Sequence, residues 1–405
     1  MFGYVALGAT LALLLASVGA LTAPPTSGNY AHEIIGEILQ GTMSIEAVWD
    51  SNVTLYALIV LFMIILVAFF IGWLKNYEWA TFVITFLSAA VCIPVYTFIY
   101  EFFYGIPINP AVFFLAIVCA ITAIIFWAVP LGRASMLSAS VAFVIFTLFY
   151  ILNEYMLFTF WEAHDPGGSL LVHVFAAYFG MGFILKGLHT KADDYKVTWE
   201  MTKFTMTMCL MGAGFLWAWW PVFVSGLMGP ELFPVGCFNV VFAICGSCLA
   251  AVAVSRLWRG KPSIVDICWS FLAGGVAIGS TADLVTIWEA FLIGIVAGFI
   301  TTTGFAKVWE QVFNKKIGID VCGVQFLHGW SGLWGGLVVA SIIVPMKAPG
   351  LLPLGPISQI GAAVTTVVIA LVGGVITGLI CKAFKRPEPI YSDKPVFVEA
   401  ETITD

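Results

Sequence analysis

The sequence predicts an all-α polytopic membrane protein: eleven transmembrane helices, an N-terminal leader helix or signal peptide, and an inverted five-helix repeat. Three observations carry this. Apolar residues make up 61% of the 405 and charged residues only 10%, and the mean hydropathy is +1.02, far outside the range of soluble domains. Apolar stretches near the ~20 residues needed to cross a bilayer recur along the chain. One pattern occurs twice, Asp165-x7-His173 and Asp320-x7-His328, each time at the head of such a stretch.

In order, residues 1–23 are apolar and uncharged and read as a leader. They lack the basic start of a signal peptide and are long for one, which favours a retained helix over a cleaved segment. Residues 24–53 are polar, acidic and rich in proline and glycine, as in an extracytoplasmic loop. Eleven spans follow at about 54–74, 79–100, 110–129, 135–157, 168–187, 200–223, 235–256, 264–282, 288–307, 321–345 and 357–382. Spans one to five form a first half, 54–187, and spans six to ten a second, 200–345. The eleventh span, 357–382, stands outside the repeat, and 383–405 is a polar tail.

Charge sets the orientation, because lysine and arginine gather in cytoplasmic loops. With these spans, all of the 17 basic residues except Lys347 fall on one side, and the tail falls with them. The tail is therefore expected in the cytoplasm. Asp165 then opens span five from outside and Asp320 opens span ten from inside, so the two helices run antiparallel. Inverted repeats of this kind place a substrate path at their interface near the bilayer midplane.

Composition also excludes functions. No basic patch interleaved with aromatics points to nucleic acid. The nine cysteines lie in or beside apolar segments and describe no disulfide framework. Cys245-x-x-Cys248 sits inside a span, where thiols act as small hydrophobes rather than as a redox or metal motif.

Each Asp-x7-His unit reads as a helix start: an aspartate suited to cap an N-terminus and, in the first copy, Pro166 at the first helical position. Eight residues on, the histidine lies ~12 Å along the helix, close to the ~15 Å half-thickness of the bilayer core. In antiparallel helices the two imidazoles converge. An intramembrane ionisable residue is a functional hypothesis by default; the alternative is a histidine that bonds a neighbouring helix as packing glue. Two at repeat-related positions favour function. Metal binding fits poorly, since each aspartate is too far from its own histidine to share an ion and a closed site wants four ligands. Asp165 and Asp320 have a capping role, to which Asp165, by the outer mouth, adds attraction for a cation.

Other motifs have mainly structural readings. Trp217-Ala218-Trp219-Trp220-Pro221-Val222-Phe223 is an interfacial aromatic belt or an aromatic vestibule for a small cation. Asp266, beside Arg256, Arg259 and Lys261, is a cap or ion-pair partner. Gly329-Trp330-Ser331-Gly332 resembles the serine motif of rhomboid proteases, but the span count and the Asp-x7-His duplication do not. No other catalytic or phosphate-cradling signature is present, so the chain is expected to be no enzyme and to need no cofactor.

At these residues the chain resembles the ammonium transporter and Rhesus glycoprotein family, and more closely its Rhesus branch, over about residues 54–345. The likeness is carried by Phe70-Ile71-Gly72-Trp73-Leu74-Lys75, Asn153-Glu154-Tyr155, Asp165 through Gly180, Trp220-Pro221-Val222-Phe223, Val265-Asp266-Ile267, Leu272-Ala273-Gly274-Gly275-Val276-Ala277, and Asp320-Val321-Cys322-Gly323-Val324 leading to Leu327-His328-Gly329. The resemblance implies a homotrimer in the plasma membrane with one pore per subunit. By position, His173 and His328 match twin mid-pore histidines, Asp165 the aspartate near the outer vestibule, Asp320 its inner counterpart, and Phe223 one of two phenylalanines closing the outer mouth. The second phenylalanine belongs to span three, as Phe113 or Phe114. The chain departs from the branch at Val224 and Phe326, where asparagines are usual, and at Cys268-Trp269-Ser270, where polar residues are usual.

The family implies passage of ammonia or ammonium, with methylammonium or carbon dioxide as further candidates. A bare ammonium ion in an apolar pore faces a solvation cost on the order of tens of kcal/mol, and neutral ammonia far less. Potassium has no proton to give up, so a pore passing only the deprotonated species rejects it. The alternatives are a channel for carbon dioxide and an ammonium sensor signalling through its tail.

Overall fold

The computed structural model describes residues 52–186 and 200–398; the leader, nearly all of loop 24–53, His32, His189 and the last residues of the tail lie outside them. Ten described helices are long and apolar enough to cross a membrane. They are α1 (Val53–Ile71), α2 (Glu78–Phe102), α3 (Pro110–Trp127), α4 (Met136–Phe160), α5 (Ser169–Lys186), α6 (Lys203–Ser225), α7 (Phe233–Arg259), α10 (Ile287–Lys316), α11 (Gln325–Lys347) and α12 (Pro356–Cys381). The chain is an all-α polytopic membrane protein. The expected eighth span is instead two short helices, α8 (Ile264–Ser270) and α9 (Ala273–Ile278), separated at Phe271 and Leu272. Hydropathy does not register such a break.

Helix starts follow local chemistry. Asn109 caps α3 by accepting from the backbone N–H groups of Ala111 and Val112 at 3.0 and 3.1 Å, with Pro110 at the first helical position. Thr202 with Thr205 and Thr286 with Glu289 make reciprocal capping boxes on α6 and α10. The start of α2 is capped from far away: Asp393 in the tail accepts from Trp79 N–H at 3.0 Å and Ala80 N–H at 2.9 Å. The tail is thereby tied to the end of the bundle where α2 begins.

Packing relies on small residues, as expected where lipid removes the hydrophobic drive between helices. A Cβ on Gly294 of α10 would overlap the Ala243 carbonyl of α7, and one on Gly374 of α12 would overlap the Phe179 carbonyl of α5. α3 is the most enclosed of the long helices, with 94% of its apolar window buried. It lies inside the bundle, where it can wall a path rather than face lipid.

The heads of α5 and α11 differ from the expectation of helices starting at the aspartates. Residues 165–168 and 320–323 are turns, and the helical segments start at Ser169 and Val324. The cause is glycine: Gly168 and Gly323 sit at φ 77° and 64°, left-handed conformations that close the turn and that a side chain disfavours. Pro166 therefore lies in the turn, not at the first helical position. His173 stands only ~6 Å along its helix rather than ~12 Å.

Candidate functional site

The two turns do the same work in each copy. The Asp165 carboxylate accepts from Leu170 N–H at 2.9 Å and Leu171 N–H at 2.8 Å, and from the Ser280 hydroxyl. That of Asp320 accepts from Val324 N–H at 3.0 Å and Gln325 N–H at 2.9 Å. Each aspartate thus satisfies orphan donors at the start of the helix that carries a histidine. Both carboxylates are fully enclosed. Burial pushes Asp165 up from the usual carboxylate range and Asp320 up to about 7, while their hydrogen bonds to backbone N–H groups pull the other way.

Beyond the turns, the first residues of both helices are wound as π-helix, Ser169–Val174 and Gln325–Trp330. Such widened turns are rare and frequent at functional sites. Here each contains a histidine. His173 and His328, both buried, face one another with Nδ1 to Nδ1 at 3.0 Å, ring centroids 5.1 Å apart and planes inclined by 21°. Trp220 stacks on His173 at 5.6 Å and 13°, and Phe223 meets the same ring edge-on at 6.2 Å.

This contact constrains the protons. A hydrogen bond between two Nδ1 atoms needs one ring to donate and the other to accept, so the accepting ring is neutral. With both rings neutral, the donor's Nε2 is an acceptor and the acceptor's Nε2 carries hydrogen. The pair then offers a guest one acceptor and one donor. His173 Nε2 is buried and finds no partner among the described residues.

Both histidines line a cavity otherwise walled almost entirely by apolar and aromatic side chains, among them Met63, Phe70, Ile125, Leu216 and Trp269. Phe223 is one of these lining residues. The same ring helps line a second cavity, shared with Asp165 and Phe114. The structure thus brings His173, His328 and Phe223 to one cavity and Asp165, Phe114 and Phe223 to the next. Phe113 lines neither, and Asp320 stays behind the turn as a cap.

Other sequence readings resolve here. Asp266 is an ion-pair partner, held by Arg259 Nε at 2.6 Å and Nη2 at 2.9 Å, and accepts from Ser255. Ser331 bonds Thr301 at 2.6 Å while His328 engages His173, so the rhomboid-like serine has no histidine partner there. Among the described residues no cluster of three or more His, Cys, Asp or Glu side chains could hold a metal.

Two further polar clusters are buried, around Glu154 and His164, whose partners the sequence did not indicate. Glu154 of α4 accepts from the hydroxyls of Tyr96 and Tyr100 on α2, at 2.9 and 2.8 Å; an acid inside an apolar span was the available signal. His164 bonds Asp283 at 3.0 Å across 119 residues, and Gln359 of α12 brackets its backbone. No local pattern announces that pair.

The geometry has counterparts among known proteins. The model of the Ammonium Transporter Family matches residues 40–386. Ammonium transporter Rh type A of Bos taurus is 33% identical over 271 residues, covering 65% of this chain and 62% of that protein. The Mus musculus Rh type A transporter is 32% identical over 282 residues, covering 68% and 61%. The chain thus spans about three fifths of the length of these two relatives. The solved structure of Nitrosomonas europaea Rh50, described with the mechanism of conduction by the Rhesus protein family of channels, superposes with a TM-score of 0.79 at 29% identity, over 87% of this chain and 93% of that one. This chain belongs to the ammonium transporter family and, within it, is most like the Rhesus type.

Proposed function

We propose that this protein is a plasma-membrane channel that conducts ammonia, with ammonium deprotonated on passage, through a dry pore centred on His173 and His328. The observation that carries the reading is the Nδ1–Nδ1 contact at 3.0 Å inside an apolar cavity. Ammonium reaches the outer cavity, where the carboxylate of Asp165 favours a cation. Phe223, with Phe114 beyond it, forms the constriction at which ammonium gives up a proton to water on the outer side. Ammonia then passes the imidazoles, which replace part of its hydration by accepting and donating hydrogen bonds, and regains a proton in the inner water. Potassium cannot take this route.

In this reading the two Asp-His helices belong to an inverted repeat, the tail faces the cytoplasm, and the chain assembles as a homotrimer with one pore per subunit. Likeness to the Rh type A transporters and to Rh50 supports the substrate and the membrane. The equivalent turns, caps and π-helical segments at 165–174 and 320–330 support the repeat.

The test is stopped-flow measurement of internal pH in proteoliposomes. An inward ammonia gradient should alkalinise the lumen faster than in protein-free liposomes. No acceleration with ammonia, together with acceleration under a matched carbon dioxide gradient, would assign the pore to carbon dioxide instead.

A further inference from the structure

Besides the two histidines, the polar groups on the side chains lining the cavity are the Cys322 thiol and the indoles of Trp220, which stacks on His173, and Trp269. The thiol is already engaged, since Trp73 Nε1–H donates to Cys322 Sγ at 3.4 Å. The Trp269 N–H finds no acceptor among the described residues. The ring itself is held on several sides: its centroid lies 5.3 Å from Trp73, 5.4 Å from Phe305 and 5.3 Å from Trp309. Trp269 is thus a rigid side chain, 2% exposed, in a lumen wall otherwise poor in donors. An indole N–H is a donor only, and burying it without an acceptor is unfavourable unless the lumen supplies one.

We infer that Trp269 is a substrate-contacting and selecting residue of the inner half of the path, donating its indole N–H to the lone pair of ammonia after ammonia leaves His328. The inference rests on the ammonia reading above. Ammonia carries a lone pair and accepts this bond. Ammonium has none, and the positive end of the N–H dipole opposes it, so the residue helps the neutral species and disfavours the cation in a stretch with no water to screen either. The apolar stretch is where polar ammonia has least compensation, so a donor placed there lowers the barrier instead of trapping the guest. The sequence departs from the Rhesus pattern at this very position, where polar residues are usual, which makes the indole a property of this chain.

The experiment uses the full-length protein in proteoliposomes, with ammonia permeability normalised to folded protein. Trp269→Phe keeps an aromatic ring and removes the N–H. Replacing Trp269 by 3-benzothienylalanine keeps the bicyclic shape and removes only the N–H. Loss of one hydrogen bond in the barrier predicts a three- to tenfold lower ammonia permeability, about the same for both variants. Wild-type permeability with the benzothienyl side chain would overturn the inference and leave Trp269 a wall of the right size; that substitution decides the matter even if Trp269→Phe fails to fold. If the wild-type protein gives no ammonia permeability above bare liposomes, the functional reading itself fails, a result distinct from the variant comparison.

Discussion

Asp165 and Asp320 hold equivalent posts: each carboxylate accepts two successive backbone N–H groups at the start of a helix whose first turns carry one of the paired histidines. They differ in what lies beside them, because Asp165 lines the second cavity and Asp320 lines neither. Alanine at either position should cost about 1–2 kcal/mol or more through the lost cap, read as a lower melting temperature in detergent. Asparagine keeps an acceptor and removes the charge. Asp165→Asn should therefore reduce ammonium-driven flux per folded protein more than Asp320→Asn does, and equal effects would confine both residues to capping.

Asp320 also predicts a pH dependence of stability. Burial raises its folded pKa to about 7 against a reference of 3.8, so between those values the folded state holds a proton that the unfolded state has released. Stability from this group is complete below about pH 4 and is lost as pH rises through about 7, at up to about 1.4 kcal/mol per pH unit. The melting temperature of the wild type should fall between pH 5 and 7.5 more steeply than that of Asp320→Asn. Parallel slopes would remove Asp320 as the source.

Phe223 lines both cavities, and its ring also meets His173 at 6.2 Å. Phe223→Leu keeps an apolar side chain but opens the constriction, and should raise osmotic water permeability of proteoliposomes while the protein remains folded. Phe223→Ala is less informative, since emptying a buried phenylalanine site costs about 3–5 kcal/mol. Water permeability unchanged by Phe223→Leu would place the constriction elsewhere.

The tail gives a prediction on folding. Asp393 accepts from Trp79 and Ala80 N–H, and its own N–H donates to the Asn76 carbonyl at 2.7 Å. Asp393→Ala should cost about 1–2 kcal/mol and speed proteolytic trimming after residue 386. Unchanged trimming would mean that the tail is held by its other contacts, such as the Tyr391 N–H to Gly132 carbonyl bond at 2.9 Å.

Much of this site was legible in the sequence because its signals are local or repeated. A charged residue eight positions before a histidine, at the head of an apolar run, marks both halves, and hydropathy locates the long helices to within about four residues except at the end of α10, which reaches Lys316 rather than 307. What was illegible depends on rotation or distance. Phe113 and Phe114 differ by ~100° around α3, and only packing shows that Phe114 lines the second cavity with Phe223. The turns before α5 and α11 hinge on the φ of Gly168 and Gly323, which the residue type permits without demanding. The Ser280 hydroxyl reaches Asp165 across 115 residues, beyond any periodicity argument.

The most direct measurement concerns the histidine pair. Two imidazoles joined at Nδ1 in an apolar cavity give a cation little to replace its water, whereas a carboxylate there favours the charged form of a guest. Potassium-carried current through wild type and folded His173→Glu, recorded in planar bilayers beside the ammonia permeability of each, tests this. The account predicts ammonia permeability without potassium current in the wild type and a potassium current in His173→Glu; the same transport in both proteins would make the pair a packing contact and contradict the account.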